Sequence, residues 1–178
     1  MQIIRREHNP NEDQRTRNLS HAHWLRYMNF TKEHAFDLAQ RYVGTKEVGG
    51  SLDNPMLMAM LRLDNKWPQN DEVPWCSAFV NYIAWLCRHP RSKDLRARSW
   101  LMVGKGINLD DAEPGDIVIL KRGSGEQPGP EVIKAPGHVG FYAGRFGEFI
   151  EVLGGNQSDT VKVSRYSSKR LLGVRRLT

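Results

Sequence analysis

The stretch WCSAFVNYIAWLCR, residues 75–88, decides the fold because it places a cysteine at the start of a buried helix. Its apolar residues recur at spacings of three and four, which is typical of a helix with one face in the core. Pro74 favours a helix start, because its missing N–H would have no partner there. Cys76 is therefore predicted in the first turn, with Asp71 as a candidate cap.

A helix start is a favourable place for a reactive thiol. Unpaired backbone N–H groups and the helix dipole stabilise the thiolate, and they also point to where an oxyanion would form. The alternative is that Cys76 packs as a small hydrophobe. Cys87 would lie about 16 Å away along the same helix, so both cysteines are predicted as free thiols in a reducing cytoplasm.

After Gly104 the sequence changes to short β-branched runs separated by glycine, which are typical of antiparallel strands. The predicted strands are 117–120, 139–143, 148–153, 161–166 and 171–176. Helices followed by strands indicate an α+β domain with N-terminal helices, a nucleophile helix and a five-stranded antiparallel sheet. The glycine- and proline-rich stretch 122–137 is a candidate active-site lid.

The first part of the chain is predicted to be a polar and helical extension, residues 1–37, followed by one domain, residues 38–178. A length of 178 residues with 39% hydrophobic composition suits one domain with an extension. Helices are expected within 24–43, ending at Gly44, and around MLMAMLRL, residues 56–63.

The net charge of +6 predicts an anionic partner, for which nucleic acid, an acidic lipid surface and bacterial cell wall all qualify. The basic pairs near the C-terminus lack interleaved aromatics, so nucleic acid is not expected. No apolar run approaches the roughly 20 residues of a membrane span, and no secretory signal opens the sequence. We therefore expect synthesis in the cytoplasm without a signal peptide, and no membrane insertion.

His138 is the candidate base, because it opens a strand directly after the flexible loop. If residues 145–147 form a three-residue hairpin loop with Gly147 left-handed, His138 lies opposite Gly154 and diagonal to Asn156. The bare Gly154 would leave room between them. The apolar residues expected on this face, to pack against the Cys76 helix, are Tyr142, Ile150 and Val152.

Asn156 would then hold the imidazole ring and its tautomer, leaving the other ring nitrogen for the thiol. The alternative is a turn residue within GGNQSD, and a one-residue change in the loop would move Asn156 to the other face. Glu151 is a weaker candidate, because its parity places it on the other face.

Five strings in order resemble a phage-associated group related to CHAP domains (cysteine, histidine-dependent amidohydrolase/peptidase) and to NlpC-type cell-wall peptidases. They are DEVPWCSAFVN, ARSW, PGDIVIL, GHVGFY and VLGGNQSD, within residues 38–176. The resemblance implies a papain-like fold with Cys76 as nucleophile, His138 as base and Asn156 as the polar third residue. It also implies peptidoglycan cross-bridges, stem peptides or the peptide–sugar amide as substrate. CHAP domains often carry a glutamate where this chain has Gly154.

Four further residues are candidates for substrate binding. Trp75 and Trp100 line a substrate groove or pack in the core, and Arg98 meets a substrate carboxylate or is solvated. Gln157 is the fourth candidate for substrate binding. His21, His23 and His34 lack any metal-binding pattern, so no metal and no cofactor are expected.

The sequence thus predicts a peptidoglycan hydrolase, an amidase or endopeptidase with a Cys-His-Asn mechanism, from a phage endolysin or virion-associated lysin. It would act on the wall after lysis-linked release, virion delivery or dedicated export, with a phage tail or immunity protein as a candidate partner. The alternatives are a non-catalytic wall-binding or tail module, and a cysteine protease or toxin acting on protein.

Overall fold

Three helices open the part of the chain that the computed structural model describes, residues 32–48 and 53–177. They are α1 Lys32–Gln40, α2 Pro55–Arg62 and α3 Cys76–Leu86. Helix α2 begins where Asn54 accepts a hydrogen bond from the Met56 N–H at 2.9 Å, with Pro55 in the first helical position. The arm and the predicted helix around Trp24 lie outside the described residues. No helix within the described ranges is long and apolar enough to cross a bilayer.

The second half of the chain forms an antiparallel sheet in the order β1-β6-β2-β3-β4-β5. Its strands are β1 Lys105–Ile107, β2 Ile117–Lys121, β3 Gly137–Phe146, β4 Phe149–Gly154, β5 Lys162–Ser167 and β6 Leu171–Arg176. The α+β prediction is confirmed, but within the described residues the sheet has six strands where the sequence predicted five. Strand β1 was missed because three residues, one of them glycine, carry no alternating pattern.

Helix α3 packs on one face of the sheet, formed by Val139, Phe141 and Leu153 among others. The rings of Phe79 and Phe141 meet edge to face, with centroids 6.1 Å apart. The opposite face carries Val118, Leu120, Tyr142, Ile150 and Val152. The prediction that Tyr142, Ile150 and Val152 face α3 is therefore wrong. Both faces of these strands are apolar, so the pattern does not indicate which face the helix covers.

The β3–β4 hairpin differs from its predicted register by two residues. Its loop is Gly147-Glu148, two residues long, because Phe146 pairs with Phe149. A bulge between Tyr142 and Gly144 then changes the pairing, so that Tyr142 lies opposite Val152. Gly147 is left-handed, with φ 58°, as predicted. A two-residue shift preserves side-chain faces, and this is why His138 still approaches Gly154.

Two predicted features concern the bounds of helices α1 and α3. The proposed division between residues 37 and 38 falls inside α1, whose Ala35 and Ala39 are both buried in the core. The division into extension and domain stays a prediction. Asp71 does not cap α3: its carboxylate accepts the Asn54 N–H at 2.8 Å, and the N-cap position of α3 is Trp75.

Gly155 controls how closely α3 approaches the end of β4. A Cβ on Gly155 would lie 2.6 Å from Cε3 of Trp75 and 2.9 Å from Cβ of Phe79. We expect Gly155→Ala to lower the free energy of unfolding by about 1–3 kcal/mol, because neither neighbour can yield without repacking the core.

Urea unfolding measures this effect, with Gly129→Ala as the matched control. A Cβ on Gly129 would meet the flexible carboxylate end of Glu131, which can rotate away. The control should change stability by less than about 0.5 kcal/mol. Equal effects of the two substitutions would contradict the close packing of Trp75 on Gly155.

Candidate active site

Cys76 is the first residue of α3 and lies at the wall of an open cleft of about 750 Å³. No side chain caps the helix start, so the backbone N–H groups of Cys76 and Ser77 are available to the sulfur. The Val139 backbone N–H also donates to the sulfur. The sulfur is therefore held between the tip of α3 and strand β3, at the residue that follows His138.

The charge state of Cys76 is set first by burial. The residue is 2% exposed, and this burial raises the pKa of the thiol, against the backbone N–H groups and the positive charge of Arg122, which lower it. The backbone N–H groups at the helix start favour the thiolate, as predicted, but burial has the larger and opposite effect on the pKa of Cys76. The resting side chain at neutral pH is a thiol, and it needs a base to become a nucleophile.

His138 is a suitable base because it is neutral at the same pH. Its pKa is lowered from 6.5 to about 4, first by burial and then by the positive charge of Arg122, while Gln157 opposes the shift. The residue is 4% exposed and belongs to the sheet face opposite α3, where its ring lies 5.3 Å from the Tyr166 ring. Tyr166 also lies close enough to Cys76 for a thiolate there to raise the pKa of Tyr166. Cys76 and His138 therefore both approach Tyr166, near the end of the β3–β4 ladder.

Two glycines at the end of β4 make this convergence sterically feasible. A Cβ on Gly154 would lie 3.3 Å from Nε2 of His138, and Gly155 admits the Trp75 ring. The prediction that the bare Gly154 leaves room for the imidazole is confirmed. These close approaches explain why side chains are absent at both positions.

The polar side chain that reaches His138 is Gln157 and not Asn156. Gln157 is 4% exposed, interacts with His138 strongly enough to raise its pKa, and accepts a hydrogen bond from the Tyr166 hydroxyl at 2.7 Å. Gln157, predicted to bind substrate, thus lies inside the molecule beside the base. Asn156 has φ 53°, which matches the alternative of a turn residue. Glu151 pairs with Arg165 at 2.9 Å.

Trp75 and Trp100 are both fully buried. Nε1 of Trp75 donates to Glu47 Oε1 at 2.6 Å, and Nε1 of Trp100 donates to Ser77 Oγ at 3.0 Å. Ser77 Oγ donates in turn to the Asp94 carbonyl at 2.6 Å. The core-packing alternative is therefore correct for both tryptophans, because their rings fill the space beneath α3 and do not line the cleft.

Arg98 is also fully buried, and it binds the loop between β2 and β3. Its Nε donates to the Pro136 carbonyl at 3.0 Å, and its Nη1 donates to the carbonyls of Pro128, Gly129 and Val132 at 3.1, 2.6 and 3.2 Å. Arg98 therefore fixes the predicted lid against the body of the domain. This corrects the prediction that its guanidinium meets a substrate carboxylate.

The cleft beside Cys76 is basic. Of the described residues that line it, the cations are Lys93, Arg96, Arg122 and Lys134, and the acid is Asp94. Asp94 is paired with Arg96, whose Nε donates at 3.0 Å, so three positive charges remain for a ligand. The exposed Trp67 adds an aromatic surface to the same wall.

Sequence reasoning missed Arg122 and Tyr166. Arg122 follows Lys121, which pairs with Gly137 next to His138 in the β2–β3 register. Tyr166 pairs with Ile150 in the β4–β5 register. Neither residue carries a local sequence signal, because both positions depend on strand register.

Solved structures of two NlpC proteins from Trichomonas vaginalis resemble this fold. NlpC1 has a TM-score of 0.51 and 18% identity, covering 83% of this chain and 44% of that one. NlpC2 has a TM-score of 0.51 and 20% identity, covering 83% of this chain and 46% of that one. The chain thus spans less than half the length of either. No family model and no curated protein matches the sequence. The fold is the papain-like α+β fold of NlpC proteins, whereas the likeness to phage CHAP domains stays a prediction.

The buried neutral imidazole predicts a specific pH dependence of stability. The folded pKa of His138, about 4, is below the unfolded value of 6.5, so the unfolded chain binds more protons between these values. Stability from this group is fully present above pH 6.5 and is lost as the pH falls towards 4. The loss should reach about 3 kcal/mol.

Denaturant unfolding from pH 7.5 to pH 4 of the native protein and of His138→Gln measures this contribution. The free energy of unfolding should fall more steeply with decreasing pH in the native protein than in His138→Gln. This difference separates the contribution of His138 from that of the other titrating groups. Parallel pH profiles of the two proteins would show that His138 is not buried in its neutral form.

Proposed function

We propose that this chain is a cysteine hydrolase that cleaves an amide bond in bacterial peptidoglycan, with Cys76 as nucleophile and His138 as base. The observation that carries the proposal is the placement of the Cys76 sulfur against the Val139 N–H, next to His138 and at the wall of an open cleft. The NlpC-type fold is consistent with it.

The chemistry starts from two neutral groups. Nδ1 of His138 takes the proton of the Cys76 thiol as the sulfur attacks the amide carbonyl. The Cys76 backbone N–H and the charge of Arg122 stabilise the oxyanion of the tetrahedral intermediate. The imidazolium then gives its proton to the leaving amine, and water hydrolyses the remaining thioester with His138 as base.

Gln157 takes the place that the Cys-His-Asn prediction gave to Asn156. Its neutral carboxamide supports the imidazolium that forms in the reaction, in keeping with its effect on the pKa of His138. The third group of the mechanism is therefore Gln157.

The substrate class follows from the charge of the cleft. Lys93, Arg122 and Lys134 favour a peptide that carries carboxylates, and peptidoglycan stem peptides do. We place the protein as a phage-derived endolysin or virion-associated lysin that reaches the wall by lysis-linked release, virion delivery or export. Its partner is then peptidoglycan, and the phage origin rests on the sequence resemblance.

Digestion of purified peptidoglycan tests the catalytic assignment. The native protein should release soluble fragments, and Cys76→Ala should reduce the rate by at least about 10³-fold, because the nucleophile is lost. Cys87→Ala is the matched control, since Cys87 is also a buried free thiol but lies at the other end of α3.

Mass spectrometry of the released ends then distinguishes an amidase from an endopeptidase. Wall binding without product would instead indicate a non-catalytic module. Cleavage of protein substrates without release of wall fragments would indicate a cysteine protease or toxin.

Neutralising the cleft tests the charge argument separately. Lys93→Gln and Lys134→Gln should each raise KM about 2- to 5-fold with kcat nearly unchanged, because these charges attract the substrate without touching the reacting atoms. The effect should shrink as salt rises. Lys105→Gln changes the net charge equally but lies outside the cleft, so an equal KM effect there would contradict local recognition.

A further inference from the structure

We propose that Tyr166 is a positioning residue for His138, because its hydroxyl holds the Gln157 carboxamide and its ring packs against the imidazole. The inference rests on the proposed function for its catalytic consequence, although its structural basis can be tested without any substrate. Neither the sequence pattern nor the fold comparison assigns a role to this tyrosine.

The orientation of Gln157 is fixed by its hydrogen bonds. Nε2 of Gln157 donates to the carbonyls of Gly154 at 3.0 Å and Val152 at 3.3 Å, and to that of Lys162. Because carbonyls can only accept, the nitrogen must face them, and the oxygen must face the other way. That oxygen accepts the hydrogen bond from Tyr166 at 2.7 Å and lies on the side of His138.

This orientation selects one tautomer of His138. Nε2 of His138 is buried and has no fully formed hydrogen bond, and the acceptor oxygen of Gln157 is the polar group that acts on it. An unprotonated nitrogen facing an acceptor oxygen would be repelled, whereas an N–H would be stabilised. The proton therefore belongs on Nε2, which leaves the lone pair of Nδ1 for the Cys76 thiol.

Tyr166 contributes to this arrangement in two ways. Its hydroxyl fills the second acceptor site of the Gln157 oxygen, which keeps that oxygen from rotating away from the imidazole. Its ring lies 5.3 Å from the imidazole at an angle of 32°, which limits the planes that the imidazole can adopt. Phenylalanine at this position would keep the ring contact and lose the hydrogen bond.

The test compares native protein, Tyr166→Phe and Tyr142→Phe in the full chain with ¹⁵N-labelled histidine side chains. Tyr142 belongs to the same apolar cluster, is 8% exposed, and provides the matched loss of a hydroxyl. His138 is assigned as the signal that disappears in His138→Gln. The native protein should carry the proton on Nε2, and exchange of this proton with water should become about 5- to 10-fold faster in Tyr166→Phe. Tyr142→Phe should match the native protein.

Turnover provides the second readout. Tyr166→Phe should lower kcat about 5- to 10-fold and leave KM within about twofold, because the imidazole is misplaced while the cleft is intact. A native Nδ1–H tautomer, or equal proton exchange in the two tyrosine variants, would overturn the proposal. If the tautomer responds as expected but the native protein releases no wall fragments, the positioning role stands and the hydrolase function fails.

Discussion

The hydrogen bond from the Val139 N–H to the Cys76 sulfur is the contact on which the site depends. It exists because β4 ends at Gly154 and leaves the edge of β3 open to the tip of α3. The start of α3 can approach this edge because Gly155 has no side chain where the Trp75 ring lies. Backbone geometry at a strand end thus places the thiol against the residue that follows His138, and no long side chain has to reach across the core.

Burial then determines the resting charge of both Cys76 and His138. It favours the neutral form of both groups, so it raises the pKa of Cys76 and lowers that of His138 to about 4. In the proposed mechanism, the positive charge of Arg122 favours the thiolate and disfavours the imidazolium, so it would assist the attack of the sulfur and the return of the proton to the leaving group.

The sequence identified the parts of this site that depend on local pattern. Helix α3 was predictable from its spacing, and His138 from its place at the start of a strand, since both signals are local. Residue type does not reveal burial, so the sequence left Trp75 and Trp100 open between groove and core and wrongly gave Arg98 a place in substrate binding. Asn156 was chosen because the alternation of faces was extended past Gly154, whereas β4 ends there and Asn156 adopts a left-handed turn conformation with φ 53°.

The same geometry separates the residues that line the cleft from the residues that surround His138. The cleft is lined from the loops around α3, with Lys93 and Lys134 on its walls, whereas Gln157 and Tyr166 support the base from the other face of the sheet. Cys76 is the point where the two sides meet. Under the proposed function, substitutions in the loops change which peptide is bound without altering the tautomer of His138, and changes in β5 alter His138 without altering the cleft. This separation is a physical reason for loops to vary around a fixed helix–strand junction.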